Sequence, residues 1–159
     1  MPATCTIREA RREDLDALVE LLGMLFSMES DFAVDQDRQR TGLLLMLGKG
    51  PRVVLVAEIS QGDTGRVVGM ATAQLVVSTA EGGPALLVED VVVRPELRGQ
   101  GIGRALLARI EAWGLRLGAT RLQLLADSHN TGSHGFYEAC GFASTNLVCL
   151  RRVLPAAGK

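Results

Sequence analysis

Val91-Val92-Val93-Arg94-Pro95-Glu96-Leu97-Arg98-Gly99-Gln100-Gly101-Ile102-Gly103-Arg104 is the stretch on which the reading of this 159-residue chain turns. An apolar run ends at Arg94-Pro95, a short turn follows, and three glycines stand at alternate positions. Beyond them Ile102, Leu106, Leu107, Ile110, Trp113 and Leu117 recur at three- and four-residue steps up to Gly118. That is a buried strand passing through a tight turn into a helix of about four turns. Glycine lets a backbone approach a ligand closely and adopt positive φ. The N–H groups of a helix's first turn, with the dipole behind them, suit a phosphate. Gly103 costs about 1 kcal/mol relative to Ala within a helical turn, and a local rule broken without structural gain points to function. Arg98 and Arg104 add positive charge beside the turn. The plain alternative is an ordinary loop that happens to contain glycine. A dinucleotide fingerprint needs a third glycine where Arg104 stands, and a P-loop needs a Gly-Lys-Ser/Thr that is absent.

Working outward, the chain has the length of one domain, residues 1–159, with order expected over about 4–153 and a tail over 154–159. Hydrophobic residues make up 47% and charged residues 22%, a globular mix. Lys and Arg number 17 against 18 Asp and Glu, so no general field draws in nucleic acid or an anionic membrane. Cys5, Cys140 and Cys149 are odd in number and form no Cys-x-x-Cys pair, which indicates neither a disulfide framework nor a metal site. No apolar run approaches the roughly 20 residues that span a bilayer, and the start lacks a secretory pattern. A cytoplasmic protein is expected.

Thr4 to Arg8 reads as a strand, and Leu15, Leu18, Val19, Leu22, Leu25 and Phe26 as one face of a helix. A second helix over Leu43–Leu47 starts near Asp35 or Asp37, which can cap it, and stops at Gly48. Strands are expected over Arg52–Ile59, Arg66–Thr79 and Ala85–Val93, with turns at Gln61–Gly65 and Glu81–Pro84 between them. After the glycine-opened helix come a strand over Arg121–Ala126, a short helix over Thr131–Cys140, and a last strand or pair at Phe142 and Leu147–Val153. The expected fold class is α/β: a mixed, mostly antiparallel sheet of six or seven strands flanked by about four helices, not a doubly wound parallel one.

Arg98-Gly99-Gln100-Gly101-Ile102-Gly103 resembles the Arg/Gln-x-x-Gly-x-Gly/Ala signature of the GNAT superfamily of N-acetyltransferases. Val93-Arg94-Pro95-Glu96 before it and the order of elements along almost the whole chain strengthen the match. So does Asn130-Thr131-Gly132-Ser133-His134-Gly135-Phe136-Tyr137-Glu138-Ala139-Cys140-Gly141-Phe142, which is similar to the family's Asn…Phe-Tyr…Gly-Phe segment. The resemblance implies that acetyl-CoA is a co-substrate, with no metal. It implies that backbone groups of Gly99, Gln100, Gly101, Ile102, Gly103 and Arg104, beside Arg98, bind the coenzyme A pyrophosphate. The strand Val91, Val92, Val93 would pair with the pantetheine arm through Val91 and Val93. That arm needs an exposed edge, so this strand and the one at Arg121–Ala126 must splay, which the family achieves with a β-bulge. An N–H near Val91 would stabilise the oxyanion of the tetrahedral intermediate. Asn130 would contact the pantetheine or phosphate portion, and Tyr137 would stand beside the sulfur. A phenol titrates near about 10 and a thiol near about 8.5, so Tyr137 can protonate the leaving thiolate or hydrogen-bond to it. The competing reading of Tyr137 is a half-buried aromatic on an amphipathic helix.

Glu89 and Asp90 interrupt the apolar run, which is costly unless something solvates or pairs them. A protonated amine must lose a proton before it attacks a thioester, and a carboxylate is a sensible base. Glu89 is taken as that base, as in several family members, and Asp90 as an acceptor-binding group. The structural alternative sends one side chain to solvent and pairs the other with an arginine such as Arg8. Asp127-Ser128-His129 offers triad residue types, but adjacent side chains cannot adopt triad geometry. In the family the segment between the first two helices overhangs the acceptor. Here it carries Phe26, Glu29, Asp31 and Phe32, which suit a cationic amine with an apolar portion, although capping and a solvated loop explain them equally well. The partner expected is thus a small-molecule amine, a polyamine among the options. A homodimer is common in the family and is specified by no residue. A coenzyme A-binding regulatory module and an acetyltransferase acting on protein N-termini or lysines are the competing functions.

Overall fold

A computed structural model describes residues 4–29, 31–61 and 64–155 of the chain. Two compact units appear, residues 1–124 and 125–159. The first holds β1 (Cys5–Glu9), α1 (Leu15–Phe26), α2 (Gln36–Met46), β2 (Arg52–Gln61), β3 (Thr64–Ser78), β4 (Gly83–Val93), α3 (Ile102–Arg116) and β5 (Leu122–Leu124). The second holds α4 (Thr131–Ala139). The sheet runs in the order β1-β2-β3-β4-β5. Its first four strands pair antiparallel and β5 joins β4 in parallel, with α3 as the crossover between them. It is a mixed, mostly antiparallel five-stranded sheet, with four α-helices among the described residues.

The expected six or seven strands are therefore five among the described residues. Neither Phe142 nor Leu147–Val153 forms a strand. Apolar alternation describes side chains, whereas a strand needs a neighbouring backbone to exchange hydrogen bonds with. Leu147 donates instead to Thr145 Oγ1, and Leu147, Val148, Leu150 and Val153 are all at least 80% exposed. Of the expected turns and tail, Gly62, Asp63 and residues 156–159 lie outside the described residues.

Two apolar layers fix the sheet. On one face Leu18, Val19, Leu21 and Leu22 of α1 and Leu43 of α2 pack with Val54, Val56, Val67, Met70 and Val92. On the other lies α3: a Cβ at Gly114 would stand 2.6 Å from Leu86 Cδ1, so only glycine admits the buried Leu86 so close to the helix. Local chemistry sets the helix starts. Asp35 Oδ1 accepts the Arg38 N–H at the head of α2, and Asp14 Oδ2 accepts the Arg11 N–H just before α1. Arg8 of β1 then binds Asp14 through both Nη atoms, at 2.7 and 2.9 Å, and Glu58 of β2 through Nε at 2.7 Å. The Arg8 guanidinium holds the Asp14 carboxyl below its ordinary value.

Candidate active site

The register between β3 and β4 slips at one place. Thr72 pairs with Glu89 and Met70 with Val92, so two steps along β3 match three along β4. That extra residue is a β-bulge, and Asp90 within it has φ +50°. The bulge has two consequences. Below it, the Leu86 N–H donates to Arg121 O on the β5 side. Above it, the Arg94 N–H donates to Val68 O of β3 at 2.9 Å, and alternation then turns Val93 and Val91 away from β3. The ladder to β5 ends at Val88–Leu124, while β4 continues to Val93. Val91 and Val93 thus face the side on which the β5 ladder has ended.

The second consequence concerns side chains. Thr72 is the register partner of Val54, which lies in the α1/α2 layer, so Thr72 points to that face. Asp90 Oδ2 accepts the Thr72 hydroxyl at 2.9 Å and therefore lies on the same face. Glu89 is exposed, and Gln74 Nε2 reaches its Oε2 at 3.4 Å. The alternative pairing with Arg8 does not occur among the described residues, where Arg8 is engaged by Asp14 and Glu58. Burial raises the Asp90 pKa above its ordinary value, the Thr72 hydrogen bond lowers it, and the charge of Glu89 raises it.

Past β4 the chain makes one 3-10 turn, Pro95–Leu97, and enters the glycines. Gly99 and Gly101 sit at φ +73° and +81°, conformations that favour glycine. The first α-helical bond of α3 is Ala105 N–H to Gly101 O, at 3.0 Å. The N–H groups of Gly99, Gln100, Gly101, Ile102, Gly103 and Arg104 meet no acceptor among the described residues. A group of bare donors at the positive end of a fifteen-residue helix is what a diphosphate requires.

Two arginines fasten this turn. Arg94, 8% exposed, grips Glu20 of α1 with both Nη atoms, at 3.0 and 2.7 Å. Arg98 Nε donates to Val93 O at 3.0 Å, and its Nη2 lies 3.7 Å from Met28 Sδ. Sequence reasoning missed Thr72 and Glu20. Thr72 left a signal, a lone hydroxyl in the apolar run Met70-Ala71-Thr72-Ala73. Glu20 left none, since its partner is 74 positions away.

Of the acceptor-side residues, Phe26 and Phe32 come together with ring centroids 5.3 Å apart. Phe32 and Asp31 are exposed and Glu29 is half-buried. In the second unit Asn130 caps α4, its Oδ1 accepting the Ser133 N–H at 3.1 Å, so half of its amide has a structural duty. Tyr137 is half-buried and packs against Phe136 and Phe142, with centroids at 5.1 and 5.7 Å. His134 Nε2 lies 3.0 Å from Asp127 O, and His129 N–H donates to Asp127 Oδ1, so these residues shape the loop before α4. No cluster able to hold a metal occurs among the described residues, and none of their helices is long and apolar enough to cross a membrane.

Comparison with known proteins fits this geometry. Residues 15–142 match the Acetyltransferase (GNAT) family. Aminoglycoside N(6')-acetyltransferase type 1 of Stenotrophomonas maltophilia is 30% identical over 151 residues, covering 93% of this chain and 92% of that protein. Aminoalkylphosphonate N-acetyltransferase of Salmonella typhimurium is 28% identical, covering 90% of this chain and 88% of its own. Among solved structures, an aminoglycoside N-acetyltransferase in complex with CoA shares the fold at TM-score 0.79 and 22% identity, covering 94% of each chain. The chain belongs to the acetyltransferase (GNAT) family and is an acyltransferase.

Proposed function

We propose that this enzyme takes an acetyl group from acetyl-CoA and transfers it directly to the primary amine of a small cationic molecule. The observation that carries the cofactor half is the pairing of a free strand edge with bare helix N–H groups. Val91 and the Val93 N–H offer main-chain partners to an amide-bearing arm, Val93 O already accepting from Arg98 Nε, and Gly99 to Arg104 offer donors to a diphosphate one turn further on. Coenzyme A joins those two chemistries in that order. Val92, between them, is buried in the core and fixes the edge.

For the acceptor, the matched relatives are named for an aminoglycoside, an aminoalkylphosphonate and thialysine, amines all three. Glu89 and Asp90 put negative charge on the α1/α2 face, and the Phe26–Phe32 pair supplies an apolar surface. A cationic amine suits both. The reaction needs a carboxylate to take the ammonium proton, an N–H near Val91 to steady the oxyanion, and a proton for the thiolate. We assign the last role to Tyr137, with Asn130 beside the coenzyme. The chain acts as one acetyltransferase domain, a reading supported by a family match that runs across both compact units. A cytoplasmic setting and a homodimer belong to the same proposal, and size-exclusion chromatography decides the second.

Calorimetry with coenzyme A and a thiol-release assay over neutral, acidic and polycationic amines test it. Saturable binding, abolished in Gly101→Glu, and turnover with polycationic amines are expected. Wild-type protein that does not bind coenzyme A overturns the cofactor assignment. Preference for neutral or acidic amines overturns the acceptor assignment.

A further inference from the structure

Among the described residues Asp90 is the one non-glycine at positive φ. Backbone strain of this kind survives where its surroundings enforce it, and it gathers at functional sites. Here the enforcement is visible. The extra residue of the bulge carries the Asp90 carboxylate onto the α1/α2 face, where the fully buried Thr72 hydroxyl holds Oδ2 at 2.9 Å. Glu89 is exposed, and among the described residues it is met by the long contact from Gln74. Arg94, the cation just past the end of β4, is spoken for by Glu20 of α1.

We infer that Asp90, and not Glu89, takes the proton from the acceptor ammonium, while Thr72 aims its carboxylate and Glu89 draws the cation in. The inference rests on the proposed acetyl transfer and assigns its base. One ammonium proton passes to an Asp90 oxygen, and the freed nitrogen lone pair attacks the acetyl carbonyl carbon. The C–N bond forms and the C–S bond breaks. The second nitrogen proton is lost as the thiolate gains one, so amide and thiol are produced and Asp90 releases a single proton to water.

The environments of the two carboxylates favour this division. Burial first, and then the charge of Glu89, raise Asp90 against the lowering effect of Thr72. A carboxylate raised in this way is a better base near neutral pH than an ordinary one. Glu89 is the charged group acting on it among the described residues; β3 presents the neutral Thr72 and Gln74, Arg94 just past β4 pairs with Glu20 of α1, and Asp16 of α1 pairs with Arg40 of α2.

Asp90→Asn removes the carboxylate and leaves a residue at home at positive φ. With acetyl-CoA and a panel of kanamycin, spermidine and thialysine, Asp90→Asn lowers kcat by about 100-fold or more. Its coenzyme A affinity by calorimetry stays at the wild-type value, and the acidic limb of its kcat–pH profile flattens. Asp90→Gly, which relieves the strain, shows the same loss and so separates chemistry from misfolding. Glu89→Gln raises the acceptor KM and keeps kcat within about threefold. Thr72→Val moves the acidic limb to higher pH, because it removes a hydrogen bond that favours the ionised form. Retention of kcat within about threefold in Asp90→Asn, or a larger kcat loss in Glu89→Gln, overturns the assignment and leaves acetyl transfer standing. A wild-type protein that acetylates no amine of the panel overturns the proposed function and this inference together.

Discussion

Gly99 and Gly101 show how single residues build a ligand surface. Both lie at positive φ, and nothing stands within 4 Å of the place a Cβ would take at Gly99. Gly99→Ala therefore meets backbone strain of about 1–2 kcal/mol without a clash. If the open space beside Gly99 is where a phosphate lies, the same methyl intrudes on the ligand. We expect Gly99→Ala to unfold at slightly lower urea concentration and to lose at least about tenfold in coenzyme A affinity by calorimetry. Tyr137 belongs to this scale too. Its ring is fixed by Phe136 and Phe142, so Tyr137→Phe keeps the packing and removes only the hydroxyl. A fall in kcat of about tenfold or more with unchanged coenzyme A binding is expected; unchanged kcat removes Tyr137 from the mechanism. The glycines were legible in the sequence because they break a local rule. Thr72 was not, because its importance arises only when the bulge brings Asp90 beside it.

At the scale of elements, β4 is the decisive piece, since one added residue switches which backbone groups face outward. Amide hydrogen exchange reads this directly. In the free enzyme the N–H groups of Val91 and Val93 should exchange faster than that of Val92, and coenzyme A should slow the first two while leaving the third unchanged. The junction of β1, β2 and α1 makes a different prediction. Asp14 has its pKa held below the ordinary 3.8, chiefly by the hydrogen bonds from Arg8. A depressed carboxylate stabilises the fold above its unfolded-state value, and that contribution is lost as pH falls through the folded-state value. Asp14→Asn should cost about 1–3 kcal/mol in urea melts at pH 7, and the difference should shrink as pH falls below the ordinary value and through the depressed folded-state one. Most elements were readable from period and punctuation: α1 occupies Leu15–Phe26 as its apolar spacing requires, and α3 opens at Ile102 directly after the glycines. The stretch Leu147–Val153 misled for the converse reason. It is apolar enough for a strand, but pairing depends on a partner strand, and a strand's own sequence does not name its neighbour.

For the whole molecule, the formal charge of -1 leaves no long-range field, so binding of a polyanionic coenzyme must come from local donors. A ligand at 100 times its Kd adds about 2.7 kcal/mol to folding stability, and for a chain of this size each kcal/mol moves Tm by about 2–4 °C. Coenzyme A at that concentration should raise Tm by about 5–10 °C, and Gly101→Glu should abolish the rise. The fold class could be read from the order of elements because the glycine-opened crossover allows few topologies. The acceptor could not, since the surface proposed for it is assembled from a connecting segment and a bulge that no local pattern announces.

The Arg94–Glu20 grip joins the helix beneath the acceptor segment to the strand end from which the phosphate turn departs. The ion pair gears those two places together: a tilt of the helix is felt at the turn, and tightening of the turn is felt at the helix. In the proposed reaction the amine and the acyl donor would therefore press on surfaces that one ion pair ties together.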